Sequence, residues 1–466
     1  MGQGEATDVV PRRARWTIVA LALGTTLNPL NSSMIAVALL SLQQDFGLDI
    51  ASVTWVITVF YIASTIGQPL MGRVIDAFGP RRVFCIGMVV VVVAAAMAPL
   101  ASTGGFWLVL LSRGILALGT SVAFPAAVAL VGPLAAASGA TPPRLLARIQ
   151  IANTAAAALG PVVGGILIAV AGWPAIFLVN IPLAIGAFVG VWRLAPRDEK
   201  RTGVSASAVI RVLDPPGVLT FAIAAVALLM ALLGAAGDAV WVFVAVGVVA
   251  LGLFVWRELL AVAPFIDVRM LAANPALSFT YVAFTIFSAL FYLAFFGLPQ
   301  FLESFGGYST AIVGFLLLPL SGMTVALAPL VARAIDRRGL IPVLVTGAVL
   351  LLVAAGLLGI GVVTTAPGWM LVMAAVMGIP YCIGSLAMTE AVRRSAPPHA
   401  VGVASGLLQS TRYLGAIIAT VVLGRLIASG VDAASWAAVV VAAVAIGVVH
   451  LAVTLIAASV IRRRRA

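Results

Sequence analysis

The sequence is poor in nearly everything a water-soluble enzyme uses. Charged residues make up 9% of its 466 positions, and there are two histidines and two cysteines. Cys85 and Cys382 both lie inside apolar runs, which argues against a disulfide framework or a thiolate zinc site. No nucleophile beside a base, no metal-ligating cluster and no phosphate-binding loop stands out, so the chain reads as neither an enzyme nor a cofactor carrier. The net charge of +12 does not point to nucleic acid, because the basic residues stand singly or in pairs between apolar runs. What is abundant is apolar surface: hydrophobic residues reach 63% and the mean hydropathy is +1.20, a composition that aggregates in water. The solvent for most of the chain is lipid.

Lipid offers the backbone no hydrogen bonds, and uncharged runs of about 20 residues select helices over a barrel. The expected fold is an all-α membrane protein. Cutting at charges, Gly/Pro clusters and polar breaks gives fourteen spans, near 16–40, 52–71, 83–101, 105–131, 147–171, 174–192, 216–234, 239–256, 276–301, 310–332, 340–362, 367–389, 402–428 and 436–460. The first apolar stretch is too long for a cleavable signal segment and is expected to remain as span 1.

Orientation follows from Lys and Arg, because short basic loops resist translocation. Arg12, Arg13 and Arg15 precede span 1, and every even-numbered connection is basic, from Arg73, Arg81 and Arg82 through Lys200, Arg201 and Arg211 to Arg393 and Arg394. The chain ends in Arg462 to Arg465, whereas the odd-numbered connections carry no Lys or Arg, only acids such as Asp45, Asp49, Asp238, Glu303 and Asp432. Both termini are therefore expected in the cytoplasm and the helix count even.

The segment QPLMGRVIDAFG at 68–79 aligns with APLVARAIDRRG at 328–339, matching Pro69/Pro329, Leu70/Leu330, Arg73/Arg333, Ile75/Ile335, Asp76/Asp336 and Gly79/Gly339. Duplicated helical halves suit a carrier that opens to one side at a time. The expected domains are a six-helix bundle over 1–192, a linker with two extra helices over 193–275, and a second six-helix bundle over 276–466. Spans 7 and 8 lack polar side chains from Phe221 to Leu233 and from Trp241 to Trp256, which places them at the lipid-facing periphery.

These residues resemble the major facilitator superfamily, in particular its fourteen-helix drug:proton antiporter branch, over nearly the whole chain. Gly72, Asp76, Gly79, Arg81 and Arg82 match the signature Gly-x-x-x-Asp-(basic)-x-Gly-(basic)-(basic), with Ala77 where a basic residue is usual. The resemblance implies that Asp76 latches the two halves on the cytoplasmic side. In RGILALG at 113–119, Arg113 and Gly119 are kept, with Leu116 and Ala117 in place of Gln and Gly. LGPVVGG at 159–165 is similar to the antiporter signature through Gly160, Pro161 and Gly164, and GWPAIFLVNIP at 172–182 resembles the turn that follows it. Gly160 and Gly164 share one face where a neighbouring helix can approach, and Pro161 bends the helix. VAPFIDVRMLAANP before span 9 and GGYSTAIVGFLLLP at span 10 also look like this branch.

A charge in the membrane core costs roughly 2.5 to 3.5 kcal/mol on insertion scales, so one that persists marks function. Arg113 and Arg412 qualify, while Arg425 reads as snorkelling to the outer interface. Arg412 shares a face with Ser405 and Gln409, and span 9 places Tyr281, Thr285, Ser288 and Tyr292 on one face. Asn28, Asn31 and Ser32 flank Pro29, Gln150, Asn153 and Thr154 follow on span 5, and Tyr381 and Ser385 lie on span 12. Each alone reads as a helix-to-helix hydrogen bond; together they read as the lining of a common cavity. No Asp or Glu lies deep within a span, and Asn31 stands where multidrug relatives commonly carry Asp. That favours neutral or anionic amphiphiles over dications. His450 is open to two readings, a coupling residue or a packing residue bonded to Thr454. The implied function is a secondary active exporter of small hydrophobic or amphipathic compounds in the cell membrane, with a small-molecule substrate, protons and the lipid bilayer as partners, and no cofactor. A narrow lipid or metabolite exporter and a non-transporting receptor or scaffold are the alternatives.

Overall fold

The computed structural model describes residues 12–48, 50–198, 214–232, 239–261, 264–308, 310–427 and 431–463, and within these it is helix and turn without strand. Fourteen long helices follow in order: α1 (Arg12–Phe46), α2 (Ile50–Phe78), α3 (Pro80–Met97), α4 (Phe106–Ser121, continued by Ala123–Ser138), α5 (Pro142–Ala171), α6 (Asn180–Leu194), α7 (Pro215–Leu232), α8 (Val240–Leu260), α9 (Pro275–Ser304), α10 (Thr310–Arg338), α11 (Leu340–Leu357), α12 (Pro367–Ser395), α13 (Val401–Leu426) and α14 (Ala433–Arg463). Thirteen are long and apolar enough to cross a membrane, and α7 is a shorter apolar fourteenth. The all-α membrane fold expected from the runs is the one found. Asp49, Lys200, Arg201, Arg211, Asp238, Arg464 and Arg465 lie outside the described residues.

Local chemistry explains the boundaries. Proline opens α3, α5, α9 and α12, where its missing N–H is no loss and its fixed φ suits the first turn. Span 4 runs further than the sequence suggests, to Ser138, and is interrupted at Val122. Pro125 cannot donate to the preceding turn, and regular bonding resumes with Ala126 N–H to Val122 O at 3.1 Å. The duplicated segments end alike: Gly79 at φ 94° and Gly339 at φ 84° donate their N–H to Ile75 O and Ile335 O at 2.9 and 3.1 Å. A left-handed residue that closes one helix and opens the next favours glycine, so both copies of the repeat preserve it.

Asp432 caps α14. Its carboxylate accepts from Ser435 N–H at 2.8 Å, and Ser435 Oγ accepts from Asp432 N–H at 2.8 Å, a reciprocal box. These bonds hold the Asp432 carboxyl below the ordinary aspartate range. A depressed folded pKa gives stabilisation that is complete above the unfolded value and is lost as pH falls through the folded one. Asp432→Ala is expected to speed backbone exchange in the first turn of α14 at neutral pH, whereas the wild-type turn frays only in acid; hydrogen-exchange mass spectrometry of that turn reads both.

The contacts resolve the chain into two compact units, residues 1–60 with 75–202, and residues 61–74 with 203–466. The inserted pair α7 and α8 falls in the second. The pair is apolar, and α8 is strongly exposed, with Trp241 77% exposed, whereas α7 is mostly half-buried and exposes Leu219 and Ile223. The base of the pair is polar and buried. Asp214, at φ 46°, bonds Arg257 Nη1 at 3.0 Å and Phe265 N–H at 2.8 Å, and Glu258 accepts from Ile266 N–H at 3.0 Å. A Cβ on Gly217 would lie 2.4 Å from Glu258 Oε1 and 2.6 Å from Asp214 Oδ2, so only glycine admits both acids. The bonds hold Phe265 and Ile266 in a small apolar core with Phe221, Phe254, Leu70 and Leu407. Asp214→Ala leaves Arg257 with Glu258 alone, at 3.5 Å, and strands the Phe265 amide; with Arg257 partly exposed, we expect a loss of about 2 kcal/mol, seen as a lower melting temperature of the purified protein.

Candidate functional site

In the first unit the organising side chain is Arg113 of α4, 1% exposed. Its guanidinium carbon lies 4.4 Å from the Phe60 ring centroid and 5.9 Å from that of Phe177, and its Nε donates to Val56 O at 3.4 Å. Aromatic faces are the partners a desolvated cation can use where carboxylates are scarce.

Asn31 of α1 lies opposite Asn180 of α6, and the two amides exchange hydrogen bonds at 2.6 and 3.1 Å. The remaining Asn31 donor reaches Leu27 O at 2.7 Å. Its amide therefore clamps α1 to α6 in this structure. Asn28 donates to Thr120 Oγ1 at 3.3 Å, and Gln150 donates to Thr154 Oγ1 at 3.3 Å. Asn153 Oδ1 is buried without a hydrogen-bond partner among the described residues.

Gly160 and Gly164 of α5 admit α1. A Cβ on Gly160 would meet Ser33 Oγ at 1.8 Å, and one on Gly164 would meet Val37 Cγ2 at 2.9 Å, while Gly165 faces open space. Pro161 lies between them, inside α5. Beyond α2, Gly79 is packed by Asp198, whose carboxylate receives Arg81 N–H at 3.0 Å and Arg82 N–H at 2.9 Å. The Arg81 guanidinium stacks over Trp192 at 4.9 Å. Asp198 was not singled out in the sequence; the signal was an acidic pair, Asp198 and Glu199, inside a basic stretch, and Asp198 satisfies the free N–H groups that open α3. Asp76 and Asp336 occupy the last turns of α2 and α10.

In the second unit the middle of α2 lies antiparallel to α13. Tyr61 faces Tyr413 with centroids 5.8 Å apart, and Ser410 Oγ donates to Thr65 O at 2.8 Å. Gly406 approaches Gln68 O, and Gly72 approaches Gly402 O. Ser64 Oγ and Gln68 Oε1 on α2 and Gln409 Oε1 on α13 are buried without hydrogen-bond partners among the described residues.

The polar face expected on α9 divides. Tyr281 donates to Ala404 O at 2.9 Å, Thr285 donates to Tyr281 O at 3.0 Å, and Ser288 lies against Gly415. These three form the seam between α9 and α13. Tyr292 instead lies within electrostatic reach of Tyr381, Arg412, Tyr61 and Tyr413, and Arg412 within that of Tyr381, Tyr292 and Tyr413. Tyr381 stacks on Phe291 at 4.0 Å, and Arg412 lies over Phe284 at 5.5 Å. His450 of α14 has Nδ1 3.1 Å from Ala283 O and Nε2 3.5 Å from Thr454 Oγ1, a packed arrangement. Arg425 is exposed in the last turn of α13.

Comparison with known proteins bears on this arrangement. The family model described as Major Facilitator Superfamily matches residues 21–420. The chain is 38% identical over 422 residues to the uncharacterized MFS-type transporter YwoD of Bacillus subtilis, covering 90% of this chain and 91% of that protein. It is 30% identical over 438 residues to the tetracenomycin C resistance and export protein of Streptomyces glaucescens, covering 89% and 76%. It is 27% identical over 426 residues to the multidrug efflux pump LfrA of Mycolicibacterium smegmatis, covering 90% and 82%. The crystal structure of the human organic anion transporter MFSD10 superposes with a TM-score of 0.61 at 16% identity, over 96% of this chain and 99% of that one, a likeness of fold.

Proposed function

The chain belongs to the major facilitator superfamily, and on that premise we propose that it is a secondary active exporter of small hydrophobic or amphipathic compounds, driven by protons and working by alternating access. The observation that carries this reading is the set of buried side-chain oxygens without partners among the described residues, Asn153 Oδ1, Ser64 Oγ, Gln68 Oε1 and Gln409 Oε1, in helices otherwise made for lipid. A buried polar group left unpaired costs on the order of 1–3 kcal/mol, so such groups imply a passage that water or substrate fills during the cycle. Relatives named for antibiotic export and multidrug efflux support the substrate class.

In this reading the six-helix halves 1–192 and 276–466 rock about the passage, with 193–275 as an inserted linker, and both termini lie in the cytoplasm. Asp76, Gly72, Gly79, Arg81 and Asp336 gate the cytoplasmic side, and Arg113 with Gly160, Pro161 and Gly164 couples the halves. Asn28, Asn31, Gln150, Asn153, Tyr281, Thr285, Ser288, Tyr292, Tyr381, Gln409 and Arg412 line the path or hold its walls. Proteoliposomes loaded with tetracenomycin C supply the test. Efflux that rises with an imposed pH gradient is expected, whereas active efflux that survives a proton ionophore would remove the coupling and leave the export.

A further inference from the structure

Three of the six tyrosines in the chain converge on one arginine. Tyr292 of α9, Tyr381 of α12 and Tyr413 of α13 lie within electrostatic reach of Arg412, and Tyr61 of α2 packs on Tyr413 with centroids 5.8 Å apart. Around them Phe291 stacks on Tyr381 at 4.0 Å, Phe287 stacks on Tyr381 at 6.0 Å, and Phe284 lies 5.5 Å beneath the guanidinium. Among the described residues Arg412 makes no hydrogen bond and no ion pair. Glu390, the acid further along α12, is held by Arg393 and Arg394 at 2.7 and 2.6 Å. One turn before Arg412 on the same face, Gln409 is 7% exposed, and its Oε1 has no hydrogen-bond partner among the described residues.

A guanidinium is a fork of donors shaped for a planar oxyanion. Phenolic hydroxyls add further donors, and stacked aromatic faces accept a flat ring system at offset distances. Two independent features thus ask for a ligand: a cation with no anion, and a buried amide oxygen with no donor. Together they describe an amphiphile whose flat apolar body carries one negative group and, near it, a hydrogen-bond donor.

We propose that Arg412, Gln409 and the surrounding tyrosines form an anion-binding subsite, and that the cargo is a planar aromatic compound bearing a carboxylate or phenolate. The anion pairs with Arg412, the rings lie against Tyr292 and Tyr381, and a donor on the ligand meets Gln409 Oε1. This rests on the exporter reading for its biological meaning, but not for its physical test.

The test uses an isosteric pair, 2-naphthoate and 2-naphthamide, titrated calorimetrically into the full chain in lipid nanodiscs, with empty nanodiscs as the blank. The naphthoate is expected to bind on the order of tenfold more tightly than the amide. In R412Q the two should bind alike, at the level of the amide on the wild type, and R412K should keep part of the preference because it keeps the charge but not the fork. Retained amide binding by R412Q shows that the variant is folded; if it does not fold, the wild-type ratio and R412K decide. Equal binding of the two probes to the wild type, binding of neither, or an R412Q variant that still prefers the naphthoate overturns the subsite. Because binding is read without a gradient, a chain that holds naphthoate yet moves nothing in vesicles upholds the subsite and overturns only the exporter reading.

Discussion

Arg113→Ala is expected to abolish export while the protein still reaches the membrane. The side chain is 1% exposed and rests on two aromatic faces, Phe60 at 4.4 Å and Phe177 at 5.9 Å. A desolvated cation–π contact contributes about 2 kcal/mol, the same order as the roughly 2.5 to 3.5 kcal/mol that a charge in the bilayer centre costs. Contacts from α2 and from the turn before α6 thus offset part of the cost of this charge in this conformation. A group balanced in that way can bias one conformation against another. Removing it deletes the bias but frees the fold from the cost of the charge, so expression changes little and turnover falls by at least about tenfold, one tenfold step being about 1.4 kcal/mol. Arg113→Lys keeps the charge and loses the flat stacking surface, and is expected to fall between the two. Transport in inverted vesicles, normalised to membrane-embedded protein, checks the series; wild-type turnover by Arg113→Ala would strip Arg113 of any role in coupling.

The number, order and apolar character of the helices were legible in the sequence because lipid forbids unpaired backbone and the runs carry almost no charge, Arg113, Arg412 and Arg425 being exceptions. The proline starts were less legible: spans 3 and 5 read from 83 and 147, whereas the helices open at Pro80 and Pro142, and Gly79 and Gly339 stood out only as matched positions of the repeat. What the sequence concealed is which polar residues face one another. Tyr281, Thr285, Ser288 and Tyr292 have one periodicity, yet three of them lie along the seam with α13, where Tyr281 bonds Ala404 O, and the fourth joins a tyrosine cluster. Periodicity defines a face but not its neighbour. Asn31 and Asn180 lie 149 positions apart, and neither carries a mark of the other. Glu258, not singled out in the sequence, is 0% exposed. It accepts from the Ile266 N–H, in a loop that the sequence alone does not fold back. Ser64 and Gln68 were passed over because single polar residues in an apolar helix are common; only their missing partners distinguish them.

Gly72→Ala is expected to disable transport by a purely steric route. A Cβ at Gly72 would lie 2.3 Å from Gly402 O, 2.6 Å from its carbonyl carbon and 2.8 Å from Val403 Cα. All three are backbone atoms, so no rotamer change relieves the overlap and α2 and α13 must separate by roughly 1 Å in a packed seam. The seam continues through Gly406, whose Cβ would meet Gln68 O at 2.1 Å, and through the Ser410 bond to Thr65 O. Overpacking of this kind costs about 1–3 kcal/mol. If the seam forms in one half of the cycle and opens in the other, that cost falls on the closed form alone. The expected turnover is then about tenfold or more below wild type, and a cysteine placed at Gln68 reacts faster with a soluble thiol reagent. Gly406→Ala should act alike from the opposite helix. Gly314→Ala and Gly322→Ala have nothing within 4 Å of the added carbon, so they test whether any glycine lost from a membrane helix is harmful. Equal damage from all four would show that flexibility rather than close approach is at stake, and normal turnover by Gly72→Ala would show that α2 and α13 need not close this tightly for the carrier to work.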